Sequence, residues 1–128
     1  MTVYLDASAF VKTIIEEPES LRLTTWLRDH PQRASSAILR VEAVRTAWRH
    51  GLEAAERAKR ELETVMLVDV TTEVLRAAGD LLPGAVRSLE AIHLATARTI
   101  GEDIEALVTY DDRMAGAAAD LGLPTAAP

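Results

Sequence analysis

The sequence predicts an α/β fold in which a central parallel β-sheet, of about four to five strands, carries helices on both faces. Short β-rich runs alternate with helical patterns along the whole chain of 128 residues. This alternation is typical of parallel strands joined by right-handed helical crossovers. No stretch rich in proline, glycine or serine is long enough to act as a linker. A single domain over residues 1–128 is therefore expected.

The first third of the chain is predicted to contain two strands and two helices. In order, they are a strand over 2–6, helices over 8–16 and 19–29, and a strand over 33–36. Ser35 or Ser36 then offers a side-chain cap for a third helix, and Gly51 is expected to end that helix near His50.

Apolar periodicity predicts the next two helices and their inner faces. In the third helix the apolar stripe, at spacings of four, three and four, is Ala37, Val41, Val44 and Trp48. The fourth helix, over 53–65, is the most clearly amphipathic segment, and its apolar face is Ala55, Ala58, Leu62 and Val65. Both sets recur with the helical period, so both are expected to be buried in a core or an interface.

The second half of the chain continues the alternation. Its predicted elements are a strand over 66–70, a helix from Thr72 to about Leu82, a helix from Ser88 to Ile100, a strand over 106–110 and a helix over 112–121. Pro83 and Gly84 predict a turn between the two adjacent helices. Ser88 can cap the second of them, and Gly101 stops it.

Composition excludes several classes of protein. The chain has no cysteine, which excludes a disulfide scaffold and a thiolate metal site. Its longest uncharged stretch, Leu121 to Pro128, is far shorter than the roughly 20 apolar residues that a membrane span needs. The first ten residues lack the pattern of a signal peptide. A cytoplasmic protein without membrane contact is expected.

The formal net charge of −6 disfavours a protein that holds nucleic acid by bulk electrostatics, because such domains are usually basic. It is compatible with a nuclease whose acidic side chains are neutralised by bound metal. Five arginines lie close in sequence to the acidic segments described below and are candidate contacts to a phosphate backbone: Arg40, Arg45, Arg49, Arg87 and Arg113. The pattern does not assign substrate binding to any one of them.

Two acids are placed at the same edge of the predicted sheet. Asp6 closes the first strand, and Asp111 directly follows the fourth. Ligands of parallel α/β sheets bind outside the carboxyl ends of the strands, where both acids are expected. With Glu42 and Glu90 on adjacent helices, they make an all-oxygen ligand set, which suits Mg²⁺ or Mn²⁺ and not Zn²⁺.

Taken singly, each of these acids also has a structural explanation. Asp6 can cap the helix that follows it, and Glu42 can pair with Arg45 or Arg49. Glu90 stands in the first turn of its helix, where an acid interacts favourably with the helix dipole. Their combination is more informative, because clustered carboxylates repel one another unless a cation compensates them.

Four segments together resemble a known family: YLDASAFVK (4–12), LRVEAVRTA (39–47), RSLEAIHLATA (87–97) and LVTYDDRMAGAA (107–118). In order and spacing they are similar to the PIN domain, and specifically to the VapC-type toxins of bacterial toxin–antitoxin pairs. The resemblance covers essentially the whole chain.

The resemblance implies an endoribonuclease that depends on Mg²⁺ or Mn²⁺ and cleaves structured RNA such as tRNA or rRNA. It implies a cognate VapB-type antitoxin and a homodimer as well. The catalytic acids it implies are Asp6, Glu42, Glu90 and Asp111. The implied metal ligands are Asp6, Glu90 and Asp111, with Glu42 and Asp112 as further candidates. The hydroxyls of Ser8 and Thr109 match positions that support the site.

One residue departs from the family pattern and keeps an alternative open. The third motif usually reads Leu-Asp-Ala-Ile-His, whereas here Glu90 stands in place of the Asp. Because Mg²⁺ demands near-ideal geometry, the longer side chain favours the alternative of a weakened or silent PIN domain that only binds antitoxin or RNA. His93, on the same helix, is interpreted as a hydrogen-bonded structural histidine in preference to a general base.

A phosphoryl-transfer protein of another α/β class is disfavoured. The segment Asp6-Ala7-Ser8 lacks the second Asp that an Asp-nucleophile phosphatase needs. A receiver domain would need a Lys late in the chain, and no Lys follows Lys59.

Overall fold

A five-stranded parallel sheet forms the centre of the computed structural model, which describes residues 1–82 and 86–128. Its strands are β1 (Thr2–Leu5), β2 (Arg33–Ser36), β3 (Met66–Val68), β4 (Ile104–Val108) and β5 (Thr125–Ala126). They lie in the order β3-β2-β1-β4-β5, and every neighbouring pair is parallel. The predicted parallel sheet is therefore confirmed, and β5 is a short edge strand that the sequence pattern did not predict.

The strands are connected by helices in the predicted alternation. The helices in the described residues are α1 (Ala7–Val11), α2 (Ser20–Arg28), α3 (Leu39–Trp48), α4 (Leu52–Leu62), α5 (Thr72–Gly79), α6 (Ser88–Ile100) and α7 (Asp112–Asp120). Within residues 1–82 and 86–128, none of them has both the length and the apolar character needed to cross a membrane. The turn predicted at Pro83 and Gly84 lies outside the described residues.

Helices cover both faces of the sheet, as predicted, because successive residues of β1 point in opposite directions. Val3 and Leu5 are buried in a core with residues of α1 to α4. Tyr4, between them in sequence, is buried in a second core with residues of α6 and α7, including Leu94 and Met114. The α3 and α6 helices therefore approach the sheet from opposite sides.

The first helix is much shorter than the predicted span of 8–16. It ends at Val11, and the Lys12 amide closes it by hydrogen bonds to carbonyls of the preceding turn. The β-branched residues 13–15 that follow are poor helix formers. The Lys12 ammonium then binds Glu17 at 2.8 Å and Glu19 at 3.0 Å, which holds the connection to α2 in place.

The apolar stripe predicted for α3 contacts the core only in part, through Val44, and the helix buries a different face. Its buried residues are Leu39, Ala43 and Ala47, whereas the side chains of Val41 and Trp48 are 60% and 50% exposed. The helix packs through small alanines because α4, directly after it, presents its own alanines at close range. The four residues of the amphipathic face predicted for α4 are all buried, although α4 ends at Leu62 and Val65 lies beyond its end.

The predicted serine caps are also wrong. Ser35 and Ser36 belong to β2, and the Ser35 hydroxyl donates to the Leu5 carbonyl at 2.6 Å. Ser88 is the first helical residue of α6, and the cap position is occupied by Arg87. The Ser36 hydroxyl accepts from the Ile38 amide at 3.3 Å, directly before α3, so it caps the turn that leads into this helix and not the helix itself. Ser88 lies one residue beyond the cap position of α6.

Candidate active site

Four carboxylates meet at a cavity of about 130 Å³ beside the carboxyl edge of the sheet. The lining residues are Asp6, Ala7, Ser8, Glu42, Leu89, Glu90, His93, Asp111 and Met114. The structure thus brings together all four acids that the sequence singled out as catalytic. Asp112, the candidate fifth ligand, is exposed in the first turn of α7 and does not line the cavity.

Asp6 is the most deeply held of the four acids. It follows β1 directly and caps α1, where its Oδ1 accepts from the Ala9 amide at 2.9 Å and from the Ser8 hydroxyl at 2.7 Å. Its Oδ2 accepts from the Thr109 hydroxyl. Because β1 pairs with β4, the residue that follows β4 lies beside the residue that follows β1.

The same two hydroxyls also fix the segment after β4. The Ser8 Oγ accepts from the Tyr110 amide at 3.1 Å, and the Thr109 Oγ1 accepts from the Asp111 amide at 3.1 Å. Ser8 and Thr109 therefore tie the Asp6 carboxylate to the start of α7. The family resemblance implied a supporting role for both hydroxyls, and these hydrogen bonds show how they could fulfil it.

Burial raises the pKa of Asp6 above its ordinary value of 3.8, because the carboxylate loses hydration inside the protein. Hydrogen bonds from Thr109, Ala9 and Ser8 oppose this rise. A cation near Asp6 would compensate the charge that burial disfavours.

Glu42 enters the cavity from α3 and is held by a histidine. Its Oε1 accepts from the Nε2 of His93 at 2.6 Å, and the Nδ1 of His93 is 2.7 Å from the Tyr4 hydroxyl. The hydrogen-bonded, buried histidine predicted for position 93 is therefore present. Its contact with Glu42 was not predicted, because the sequence suggested only Arg45 and Arg49, nearby in the chain, as partners for Glu42.

Tyr4 lies at the inner end of this chain of hydrogen bonds and is completely buried. Burial raises its pKa above the ordinary value of 10.0. The phenol is therefore protonated at neutral pH and can donate to the Nδ1 of His93.

Glu90 stands in the first turn of α6 with its two oxygens in different environments. Its Oε1 accepts from the Arg87 amide at 3.2 Å and lies 3.6 Å from the Nε of Arg113. Its Oε2 is buried and, among the described residues, has no hydrogen-bond partner. A buried carboxylate oxygen without a donor is costly, so this atom is available to a ligand.

Asp111 caps α7, and it stands three residues after the end of β4 and not directly after the strand as predicted. Its Oδ1 accepts from the amides of Arg113 at 2.9 Å and Met114 at 3.3 Å. Its Oδ2 lies 4.0 Å from the guanidinium of Arg113. Arg113 thus contacts both Glu90 and Asp111, and its side chain is 42% exposed.

The chemistry of these donors fits a hard divalent cation. All four acids offer oxygen, which Mg²⁺ and Mn²⁺ prefer, and the free Oε2 of Glu90 adds an unused ligand atom. In this conformation, however, no three acidic or histidine side chains in the described part of the chain are grouped closely enough to hold an ion. Arg113 occupies a position between two of the acids instead.

Comparison of the sequence with known proteins identifies a family. The PIN domain profile matches residues 3–120. Ribonuclease VapC46 of Mycobacterium tuberculosis is 46% identical over 126 residues, which are 98% of this chain and 97% of the relative. Ribonuclease VapC47 of the same species is 37% identical, covering 98% of this chain and 96% of the relative.

Solved structures agree on the fold. A crystal structure of M. tuberculosis VapC20, described as a toxin that cleaves the sarcin–ricin loop, aligns with a TM-score of 0.79 at 18% identity, covering 98% of this chain and 99% of that one. A toxin–antitoxin complex from Klebsiella pneumoniae aligns at 0.69 and 20% identity, covering 85% and 86%. VapBC2 from Rickettsia felis, bound to a DNA fragment from its promoter, aligns at 0.67 and 16% identity, covering 98% of each chain.

The profile spans most of the chain, and the sequence relatives span nearly all of it. The acids that meet at the cavity lie in the segments whose resemblance to PIN domains is visible in the sequence alone. The chain therefore belongs to the PIN-domain family, among its VapC-type members.

Proposed function

We propose that the protein is a divalent-metal-dependent endoribonuclease toxin that hydrolyses phosphodiester bonds in structured RNA such as tRNA or rRNA. The observation that supports this most directly is the convergence of Asp6, Glu42, Glu90 and Asp111 on one cavity. The names of the relatives support RNA as the substrate, since VapC46 and VapC47 are named ribonucleases.

Asp6, Glu90 and Asp111 would hold a Mg²⁺ or Mn²⁺ ion, with Glu42 as a further ligand. Such an ion supplies an activated water for attack on the phosphodiester and offsets the negative charge of the phosphoryl group. This role of the acids reconciles a chain of net charge −6 with an anionic substrate.

The remaining side chains of the cavity would orient these acids and receive the substrate. Ser8 and Thr109 keep the Asp6 carboxylate in one orientation by donating to both of its oxygens. Arg113, half exposed at the rim, carries a guanidinium suited to bidentate contact with phosphate. We propose that it leaves Glu90 and contacts the RNA backbone when the site is loaded.

The purified chain, free of any co-expressed partner, would be incubated with total bacterial RNA in Mg²⁺, Mn²⁺ or EDTA. We expect discrete fragments with either metal and none with EDTA or with the Asp6→Ala variant. End-mapping of the fragments would identify the RNA that is cleaved. Fragments that persist in EDTA or in Asp6→Ala would contradict the proposal.

One observation favours the alternative, a silent PIN domain that only binds antitoxin or RNA. Glu90 replaces the Asp of the family pattern, and its Oε1 is already engaged by Arg87 and Arg113. The Glu90→Asp variant separates the two cases. Cleavage that appears or increases in this variant indicates an enzyme weakened at one ligand. RNA that stays intact with both the original chain and this variant would favour the binding module.

We also propose a VapB-type antitoxin and homodimerisation, in a cytoplasmic protein without membrane contact. The toxin–antitoxin complexes from K. pneumoniae and R. felis share the fold, which supports the first partner. The exposed side chains of Val41 and Trp48 on α3 and of Leu21 on α2 provide apolar surface for the second. Light scattering of the purified chain measures the homodimer, and Trp48→Glu is expected to weaken it.

A further inference from the structure

We propose that His93 is a positioning residue, which hydrogen-bonds to Glu42 and thereby fixes that carboxylate at the acidic cavity for divalent-ion binding. The inference rests on the proposed function, because it concerns the same metal site. It adds a residue outside the acidic ligand set, and Tyr4 as the group that orients it.

The bond between Glu42 and His93 joins the two helical layers of the fold. Glu42 lies on α3, which packs with β1 residues Val3 and Leu5. His93 lies on α6, which packs on the opposite face around Tyr4. The 2.6 Å contact is therefore made where the two layers meet beyond the carboxyl ends of the strands.

Both ring nitrogens of His93 are used within the protein. Nδ1 lies 2.7 Å from the Tyr4 hydroxyl, and Nε2 faces a carboxylate oxygen, which can only accept, so Nε2 carries a hydrogen. The Nε2 group then donates to the Glu42 carboxylate. The side chain of His93 is 3% exposed. With no free nitrogen and almost no access to water, His93 acts through Glu42 and not on the substrate.

Glu42 needs such a partner because its side chain is long and partly exposed. An unrestrained glutamate keeps several rotamers, and fixing them costs conformational entropy. Hydrogen bonds to ligating carboxylates from surrounding groups hold the ligands in place, and their removal typically lowers metal affinity by about 10–100-fold. His93 and Tyr4 form such a supporting chain, because Tyr4 in the core contacts His93 and His93 contacts Glu42.

Two substitutions of His93 separate positioning from packing. A Gln at position 93 places its amide nitrogen about as far from the backbone as Nε2, so His93→Gln can still donate to Glu42. An Asn reaches only about as far as Nδ1, so His93→Asn loses that contact. Isothermal titration with Mn²⁺ should show about 10–100-fold weaker binding for His93→Asn and a loss within about threefold for His93→Gln. Equal losses in the two variants, or no loss in His93→Asn, would overturn the inference.

A double-mutant cycle shows whether the effect passes through Glu42. In the Glu42→Ala background, His93→Asn should cause no further loss of Mn²⁺ affinity, because the group it positions has already been removed. Losses that multiply in the double variant would mean that His93 acts on the site by another route. Thermal unfolding of each variant establishes that the chains compared are folded.

Should His93→Asn fail to fold, Tyr4→Phe serves in the same cycle, because it keeps the ring and removes only the hydroxyl. We expect it to weaken Mn²⁺ binding several-fold in the original chain and not at all in the Glu42→Ala background. Unchanged Mn²⁺ binding in Tyr4→Phe would then overturn the inference. An original chain that binds no Mn²⁺ would overturn the proposed metal dependence itself, and this inference with it.

Discussion

The carboxylates on the two sides of the acidic cavity differ in how fully they are hydrogen-bonded. On the β1 side, Asp6 is 6% exposed and accepts hydrogen bonds on both oxygens, from Ser8, Ala9 and Thr109. On the side of α6 and α7, Glu90 keeps one buried oxygen without a donor. Asp111, on that side too, lies near a partly exposed guanidinium.

This difference shows that the fold fixes the carboxylate on one side of the cavity and leaves a carboxylate oxygen without a hydrogen-bond donor on the other. The Asp6 side is specified by pairing of β1 with β4, which also builds the core. The opposite side is formed by the first turns of α6 and α7, where Glu90 and Asp111 both lie near Arg113. Substitution of Asp6 should therefore reduce metal-dependent activity more than substitution of Glu90. Removal of the Arg113 side chain should instead increase the affinity for Mn²⁺.

The largest effect is expected for Asp6→Asn. The amide preserves size, and its oxygen can still accept from Ser8 and Ala9, whereas its NH2 group can only donate to the Thr109 hydroxyl. The substitution removes the charge at the centre of the site. Metal-dependent cleavage of RNA should fall by about 10²–10³-fold, the loss typical when one preorganised group at a reaction centre is removed. The rate is measured from fragment formation at saturating Mn²⁺. A variant with near-normal activity would show that the β1 side is not the functional half.

The same substitution should make the metal-free protein more stable at neutral pH. Since burial raises the folded-state pKa of Asp6, the folded chain binds this proton more tightly than the unfolded chain. Its favourable contribution is complete below the ordinary pKa of 3.8 and is lost as pH rises through the raised folded-state value. The Asn variant has no such proton. In EDTA it should show a higher Tm than the original chain at pH 7, with the difference vanishing toward acidic pH.

A smaller functional loss is expected for Glu90→Gln, because fewer hydrogen bonds fix the Glu90 carboxylate in the cavity. Removing the charge while keeping the shape should weaken Mn²⁺ binding by about tenfold, which corresponds to about 1.4 kcal/mol of binding free energy. Titration calorimetry measures the affinity. Glu102→Gln, which removes an exposed acid from the turn before β4, is the matched control. If the control variant weakens binding as much, the effect comes from overall charge and not from the cavity.

Arg113→Ala should move Mn²⁺ affinity upward. Its guanidinium competes with an ion for Glu90 and Asp111, but the group is partly exposed and its contacts are 3.6 and 4.0 Å long. Exposed ion pairs contribute about 0.2–1 kcal/mol, so we expect an increase of about two- to fivefold at low ionic strength, shrinking at high salt. Arg98→Ala, an exposed change at the far end of α6, controls for net charge. Weaker binding in Arg113→Ala would mean that the guanidinium organises the acids instead of competing for them.

The sequence predicted that Asp6 and Asp111, which lie on opposite sides of the cavity, come together, because both acids follow strands of one parallel sheet. An acid after β1 and an acid after β4 meet whenever the two strands are parallel neighbours. The four motif segments also placed Glu42 and Glu90 near the same edge. These relations need only the topology and the residue types, so they are visible without coordinates.

The other contacts depend on rotation of helices and on long-range packing. The outward face of α3 was predicted to be buried because Val41 and Trp48 are apolar, whereas the close approach of α4 selects the alanines. The pairing of Glu42 with His93 crosses between the two helical layers. The position of Arg113 between two acids depends on side-chain rotamers. Periodicity carries no information about contacts of these kinds.

The smallest effect on Mn²⁺ binding and RNA cleavage is expected for Asp112→Asn. This variant tests whether Asp112 lies outside the acidic cavity, as it does in the structure. Asp112 follows Asp111 directly, yet its side chain is exposed and does not line the cavity. Its charge in the first turn of α7 should contribute only about 0.3–1 kcal/mol to stability through the helix dipole. We therefore expect Mn²⁺ affinity and RNA cleavage within about twofold of the original chain, since a removed charge outside the ligand set acts only through screened electrostatics. A loss as large as that of Glu90→Gln would place Asp112 among the ligands, which requires α7 to turn its first residue toward the cavity when an ion binds.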